Sequence, residues 1–343
     1  MENLIALVAE YEKAPSIFQA GRYWKAYEQK IFNEIKKADI NQLRSGKYPI
    51  FSTFGFSESV YAYRTDMPFY QKIIKKIVRA LFITDRAFLP YNLKLGDIRE
   101  TAYNHCLAQG KLANIKSIAE IETSTFGNPS DLFEIKGQQY TMQFLNFYLR
   151  LCHAQSALNL KGNETIVELG SGSGFQVEVL KKVFPDLTIL CFDLPYQLHL
   201  CEQYLSKSLG EYTIVESSEL INADDLSNLQ KGKVHFFGNW KFPLLEDFQF
   251  DVFWNAASFG EMEPDIVKNY LSYILKNCAS IYLLQARKGK ESTEKSGVAT
   301  PITFEDYDGM LTGFTIKMES DAFEAHRRMS QSGGYFQAVW RQE

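Results

Sequence analysis

Residues 167–175 read VELGSGSGF, and the fold turns on this stretch. A β-branched and aliphatic run, TIVELG (165–170), carries an acid and leads into three glycines alternating with serines. Behind it, FQVEVLKKVF (175–184) has a helical period and stops at Pro185. Strand, glycine loop and helix in that order open a βαβ unit, whose loop faces a ligand at the carboxyl edge of a parallel sheet. Glycines there let the backbone turn sharply and approach a ligand closely. The N–H groups opening the helix favour an anion, and a carboxylate serves as well as a phosphate.

The spacing narrows the ligand. The dinucleotide fingerprint G-x-G-x-x-G needs a third glycine at 175 or 177, where Phe175 and Val177 stand. The Gly-Lys-Ser/Thr end of a Walker loop is also absent. The pattern present is E-x-G-x-G-x-G, with Glu168, Gly170, Gly172 and Gly174. An acid two residues before the first glycine suits a ligand that carries an ammonium, and an amino-acid moiety carries both an ammonium and a carboxylate. A second strand, LTILCFD (187–193), ends in Asp193, placed to accept both ribose hydroxyls of a nucleoside. An amino acid joined to a nucleoside describes S-adenosylmethionine (SAM).

Strand and helix go on alternating. PYQLHLCEQYLSKSLG (195–210) is a helix with Pro195 near its start and Gly210 at its end. KVHFFGN (233–239), FDVFWNAA (250–257) and ASIYLLQA (279–286) read as strands, and PDIVKNYLSYILKN (264–277) as a helix. YTIVESSEL (212–220) competes for the third strand. The expected fold is α/β, a Rossmann-like, doubly wound, mostly parallel sheet over residues 161–343. Two strand-like runs near the end, GFTIKMES and GGYFQAVWRQ, are expected to form an antiparallel edge. Residues 1–160 read as a mainly helical N-terminal domain. Within it, YQKIIKKIVRALF (70–82) is a basic amphipathic helix, FGNPSDLFEIKG (126–137) a turn-rich interruption, and YTMQFLNFYLRLCHAQSALNL (140–160) a buried helix. RKGKESTEKSG (287–297) is a polar loop, either plain surface or a lid.

Bulk composition removes several function classes. The chain has 343 residues, 45% of them hydrophobic, and a net charge of −4, which argues against nucleic acid as a partner. Five cysteines (Cys106, Cys152, Cys191, Cys201 and Cys278) include no C-x-x-C pair, so neither a disulfide framework nor a zinc site is expected. No His or carboxylate cluster has metal-ligand spacing, and a metal is not required. The N-terminus lacks a basic n-region and a cleavage site, and no apolar run reaches the roughly 18 residues of a membrane span. A soluble, cytoplasmic protein is expected.

VELGSGSG followed by CFDLP resembles motifs I and II of the class I SAM-dependent methyltransferases. The FDLP form is similar to the small-molecule O-methyltransferases. FGNP and an apolar helix before the glycine loop, with SFGEM after the fourth strand, resemble a sugar O-methyltransferase family of bacterial glycan pathways. The resemblance covers roughly residues 120–343. It implies that Glu168, Gly170, Ser171, Gly172 and Gly174 hold the methionine part, Asp193 the ribose, and Leu194 the adenine. Asn239 and Trp240 stand where the loop after the third strand reaches the adenine.

Methyl transfer is an in-line displacement, and a sugar hydroxyl is a poor acid, so a general base is expected. The caffeate-type enzymes use a histidine after the fourth strand. Here that region holds Gly260 and Glu261, and Glu261 is the candidate base or hydroxyl-orienting acceptor. His105 and His153 could reach the pocket from the N-terminal region; His199, His235 and His326 complete the histidines. Asn128 in FGNP, with Gln139, Tyr140 and Thr141, offers polar groups for sugar hydroxyls from a cap formed by residues 1–160. The sequence thus favours O-methylation of a sugar, nucleotide-sugar or glycan hydroxyl. An aromatic or natural-product hydroxyl, an NAD(P)-dependent oxidoreductase and a non-catalytic methyltransferase-like binding protein stay open. So does a homodimer.

Overall fold

The computed structural model describes residues 1–25, 27–48, 51, 89–290, 298–322 and 334–343. The amphipathic stretch 70–82, residues 291–297 of the polar loop, and His326 lie outside the described residues. In chain order the main helices are α1 (Glu2–Lys13), α2 (Glu28–Ile35), α3 (Leu89–Ala113), α4 (Met142–Leu158), α5 (Phe175–Val183), α6 (Pro195–Leu209), α7 (Pro264–Ile274) and α8 (Phe304–Met310). The strands are β1 (Phe133–Ile135), β2 (Gln138–Tyr140), β3 (Thr165–Leu169), β4 (Thr188–Asp193), β5 (Ile214–Val215), β6 (Val234–Gly238), β7 (Phe250–Ala256), β8 (Cys278–Ala286), β9 (Phe314–Asp321) and β10 (Tyr335–Gln342).

Strands β3 to β10 form one sheet in the order β5-β6-β4-β3-β7-β8-β10-β9. Pairings from β5 through β8 are parallel; β10 runs antiparallel to both β8 and β9. This is the expected α/β, doubly wound, mostly parallel architecture with an antiparallel end. The strand order reverses at β3, which lies between β4 and β7. A crevice opens beyond the carboxyl ends at such a switch point. YTIVESSEL gives only the two-residue edge strand β5, and KVHFFGN supplies the third long strand, β6.

Both faces of the sheet are covered, which explains strands that read as unbroken apolar runs. Ile166, Ile189 and Cys191 face one core, with residues of α4, α5 and α6. Val167, Leu190 and Phe192 face the other, with Val267, Tyr270 and Leu271 of α7. The first core continues into the N-terminal helices through Leu4, Leu7, Ile31 and Ile35. The joint from α4 to β3 is closed by Gln155, whose amide both accepts from Leu160 N–H and donates to Leu160 O, each at 3.0 Å.

The segment read as a turn-rich interruption contains a hairpin. Strands β1 and β2 pair Phe133 with Tyr140 and Ile135 with Gln138. Lys136 (φ 54°) and Gly137 (φ 82°) make its two-residue turn, both in the left-handed region. Asn-Gly or Asp-Gly would have signalled such a turn; Lys-Gly between three-residue strands does not.

Candidate active site

The glycine loop leaves β3 directly over the switch point. Gly170 has φ of 80°, and its N–H donates to Phe192 O at 2.8 Å, joining the loop to β4. A Cβ on Gly170 would collide with the Ser258 side chain, so the position demands glycine for its backbone and for its space. Gly174 (φ 78°) caps the start of α5 and packs against Cys201 and Leu205 of α6.

Asp193, at the end of β4, ties the glycine loop to the turn that follows β4. Its Oδ2 accepts from Gly172 N–H and its Oδ1 from Leu194 N–H, both at 2.8 Å. A carboxylate offers about four acceptor sites, so two remain for a ligand. Burial pushes its pKa up to about 7; the two N–H bonds oppose this, and the nearby Glu261 adds to it. Glu168 is buried on β3, and burial pushes its pKa up to about 8; Ser171 opposes the shift and Asp193 adds to it. Glu168 Oε2 has no hydrogen-bond partner among the described residues.

Gly170, Asp193, Leu194, Asn239 and Glu261 line a single cleft. The structure thus brings together five of the candidate residues from four separate stretches of sequence, while Glu168, Ser171, Gly172 and Gly174 are not among those that line the cleft. Asn239 is buried; its Nδ2 donates to Phe18 O at 2.5 Å and to the Tyr270 hydroxyl at 2.9 Å, while its Oδ1 has no partner among the described residues. Glu261 follows β7. Its Oε2 accepts from Trp24 Nε1 at 2.9 Å, and its Oε1 from Lys290 Nζ. Burial raises the Glu261 pKa, against the pull of Lys290.

The remaining candidates stand elsewhere. The Trp240 ring lies over Gly238 and against Tyr11, with centroids 5.7 Å apart, and is not among the cleft-lining residues. Asn128 sits in a left-handed turn, and its Nδ2 donates to Gln42 Oε1 at 3.0 Å. Tyr140 is fully buried and donates to Ile118 O. Thr141 is the N-cap of α4, accepting from Phe144 N–H at 3.2 Å. His153 on α4 has its pKa pushed down to about 4 by burial and by His105. Neither histidine lines the cleft.

The opposite wall was not legible. Gln19, Ala20, Gly21 and Trp24 face Gly170 and Asp193 across the cleft. They lie more than 140 residues from the glycine loop in sequence, and QAGRYW carries no periodic or motif signal. Ser258, Met262, Ile266 and Tyr270 also line the cleft. Among the described residues no group of His, Cys, Asp and Glu is arranged to hold a metal. No described helix is long and apolar enough to cross a membrane.

No family model matches the chain, and no curated protein does. Solved structures resemble it in part. The pyocyanin biosynthetic protein PhzM is 14% identical over 57% of this chain and 57% of its own, with a TM-score of 0.36. Magnesium protoporphyrin IX methyltransferase (ChlM) from Synechocystis PCC 6803, solved with bound SAH, is 11% identical over 59% of this chain and 83% of its own, with a TM-score of 0.39. An O-methyltransferase family protein from Burkholderia thailandensis is 12% identical over 58% of this chain and 57% of its own, also at 0.39. The matched region thus spans little more than half of the PhzM chain.

Proposed function

We propose that the chain is a SAM-dependent O-methyltransferase acting on a sugar or nucleotide-sugar hydroxyl. The observation that carries this is the charge of the cleft. Two carboxylates, Asp193 and Glu261, line it, the second paired with Lys290, with no Lys or Arg among the described lining residues, and the buried Glu168 lies close enough to Asp193 to raise its own pKa. Such a site favours a cation and repels the pyrophosphate of a dinucleotide. SAM carries a sulfonium and an ammonium against one carboxylate.

The protein groups fit that cofactor. The unpartnered Glu168 Oε2 and Asn239 Oδ1 are buried acceptors that need donors, and SAM offers an ammonium and an exocyclic amine. Glu168 with the glycine loop would hold the methionine part, Asp193 the ribose, and Leu194 with Asn239 the adenine. The cofactor brings an activated methyl group with it. The chain has to orient an acceptor hydroxyl, exclude water and accept a proton. Glu261 is the group for the last task, since its raised pKa makes it a stronger base than an exposed glutamate. Residues 1–160 serve as the cap, with Gln19–Gly21 and Trp24 as the part that closes over the cleft.

The sugar assignment draws on SFGEM and on the pairing of an aromatic face, Trp24, with a carboxylate, Glu261. A phenolic or natural-product hydroxyl is the second reading, favoured by the apolar Met262 and Ile266 on the same wall. Incubation with methyl-labelled SAM and two acceptor panels, nucleotide sugars and catechols, tests the choice. Label in a nucleotide sugar is expected. Label in catechols alone transfers the assignment to aromatic hydroxyls, and label in neither panel counts against both.

A further inference from the structure

On the acceptor side of the cleft, the backbone leaves β7 by a turn that its local sequence does not favour. Ala257 has φ of 65°, a region that residues with a Cβ seldom adopt. The chain then lies down across the glycine loop, with Ser258 seated where Gly170 lacks a side chain. Two carboxamides hold it there. Asn255 and Gln285 are 0% and 1% exposed, so every polar atom they carry needs a partner. Asn255 Nδ2 donates to Leu169 O at 2.8 Å. Asn255 Oδ1 accepts from Phe259 N–H at 3.0 Å and from Gln285 Nε2 at 2.6 Å. Gln285 Oε1 accepts from Gly260 N–H at 3.0 Å. The partners fix both orientations, because a backbone carbonyl can only accept and a backbone N–H can only donate.

We infer that Asn255 and Gln285 are positioning residues that lock the acceptor wall of the cleft to the cofactor wall. The role in transfer rests on the methyltransferase assignment above; the clamp itself does not. It runs from the backbone at the end of the glycine-loop strand, Leu169, through both amides to Gly260, the residue before Glu261. The turn therefore cannot rise off Gly170 without breaking buried hydrogen bonds, and Glu261 keeps its place between Trp24 and Lys290. In-line transfer needs that rigidity, since a misplacement of about 1 Å can cost on the order of 10²-fold in rate. An apolar pair would fill the space but leave the Phe259 and Gly260 N–H groups buried without acceptors.

The indole N–H of Trp24 reports where Glu261 stands, and the chain has four tryptophans to compare: Trp24, Trp240, Trp254 and Trp340. The experiment is a 1H–15N spectrum of the indole region, with Trp24 assigned from Trp24→Phe. Gln285→Met keeps the shape and removes both bonds; Gln285→Glu keeps the acceptor for Gly260 N–H. In Gln285→Met, the Trp24 signal is expected to move toward its position in Glu261→Ala while the other three stay. In Gln285→Glu it should return toward the wild-type position. SAM affinity, by calorimetry, should fall about three- to tenfold in Gln285→Met. An unmoved Trp24 signal in folded Gln285→Met overturns the inference, as does a common shift of all four signals, which marks general loosening. If Gln285→Met does not fold, Asn255→Asp, which loses the donor to Leu169 O, takes its place: a Trp24 signal that moves alone supports the clamp, and an unmoved one or a common shift overturns it. A wild-type protein that binds no SAM would strike the cofactor assignment alone, because the indole shifts are read without ligand.

Discussion

Two buried carboxylates with raised pKa values make cofactor binding a proton-linked event. Asp193, at about 7, is about half protonated at pH 7, and Glu168, at about 8, about nine-tenths protonated. A sulfonium and an ammonium brought beside them favour the ionised forms. Binding at pH 7 should therefore release between one and two protons, about half of one from Asp193 and most of one from Glu168, and affinity should rise between about tenfold and a hundredfold per pH unit from pH 5.5 to 7. The sign for folding follows from the same shifts. Both groups ionise near pH 4 in the unfolded chain, so the folded chain holds extra protons between about pH 4 and 8. Unliganded stability should fall as pH rises through that window. Calorimetric titration with SAM in phosphate and in Tris, whose ionisation enthalpies differ, counts the protons. Asp193→Asn should remove about a third of the release at pH 7. Proton uptake on binding, or an affinity independent of pH with SAM bound, would refute this electrostatic account of the cleft.

Other substitutions separate the roles of neighbouring residues. Gly170→Ala meets a left-handed backbone, about 1–2 kcal/mol, and a clash with Ser258, about 1–3 kcal/mol; a Tm lower by about 5–10 °C and no measurable SAM binding are expected from calorimetry. Thr141→Ala removes the α4 cap at about 1 kcal/mol and should lower Tm by a few degrees while SAM affinity holds, which a thermal melt with and without SAM checks. Glu261→Gln keeps an acceptor for Trp24 but removes the charge facing Lys290; acceptor turnover should drop about 10²–10⁴-fold while SAM affinity changes less than tenfold.

Legibility followed local chemistry. The glycine loop, Asp193 and the strands between 165 and 286 each announce themselves within ten residues, through period, glycine spacing and an acid at a strand end. Glu261 was reachable because SFGEM follows a readable strand. Trp24 and Gln19 were not, since their place in the cleft depends on how the N-terminal helices pack on α6 and on the sheet, a long-range outcome with no local trace. Asn128, Tyr140 and Thr141 misled for the opposite reason. Each is polar and close in sequence to the motifs, yet each satisfies a local structural need, respectively a turn, a buried hydroxyl and a helix cap. Asn255 and Gln285 sit inside strands, where an amide can be recognised as a clamp only when the neighbouring turn is in view.

The most direct measurement is a pair of calorimetric titrations, SAM and NADH, on the wild-type chain and on Asp193→Ala. A cleft built for a nucleoside with a cationic amino acid binds SAM in the micromolar range, ignores NADH, and loses SAM in the variant. NADH binding without SAM binding would contradict that and return the glycine loop to the dinucleotide enzymes.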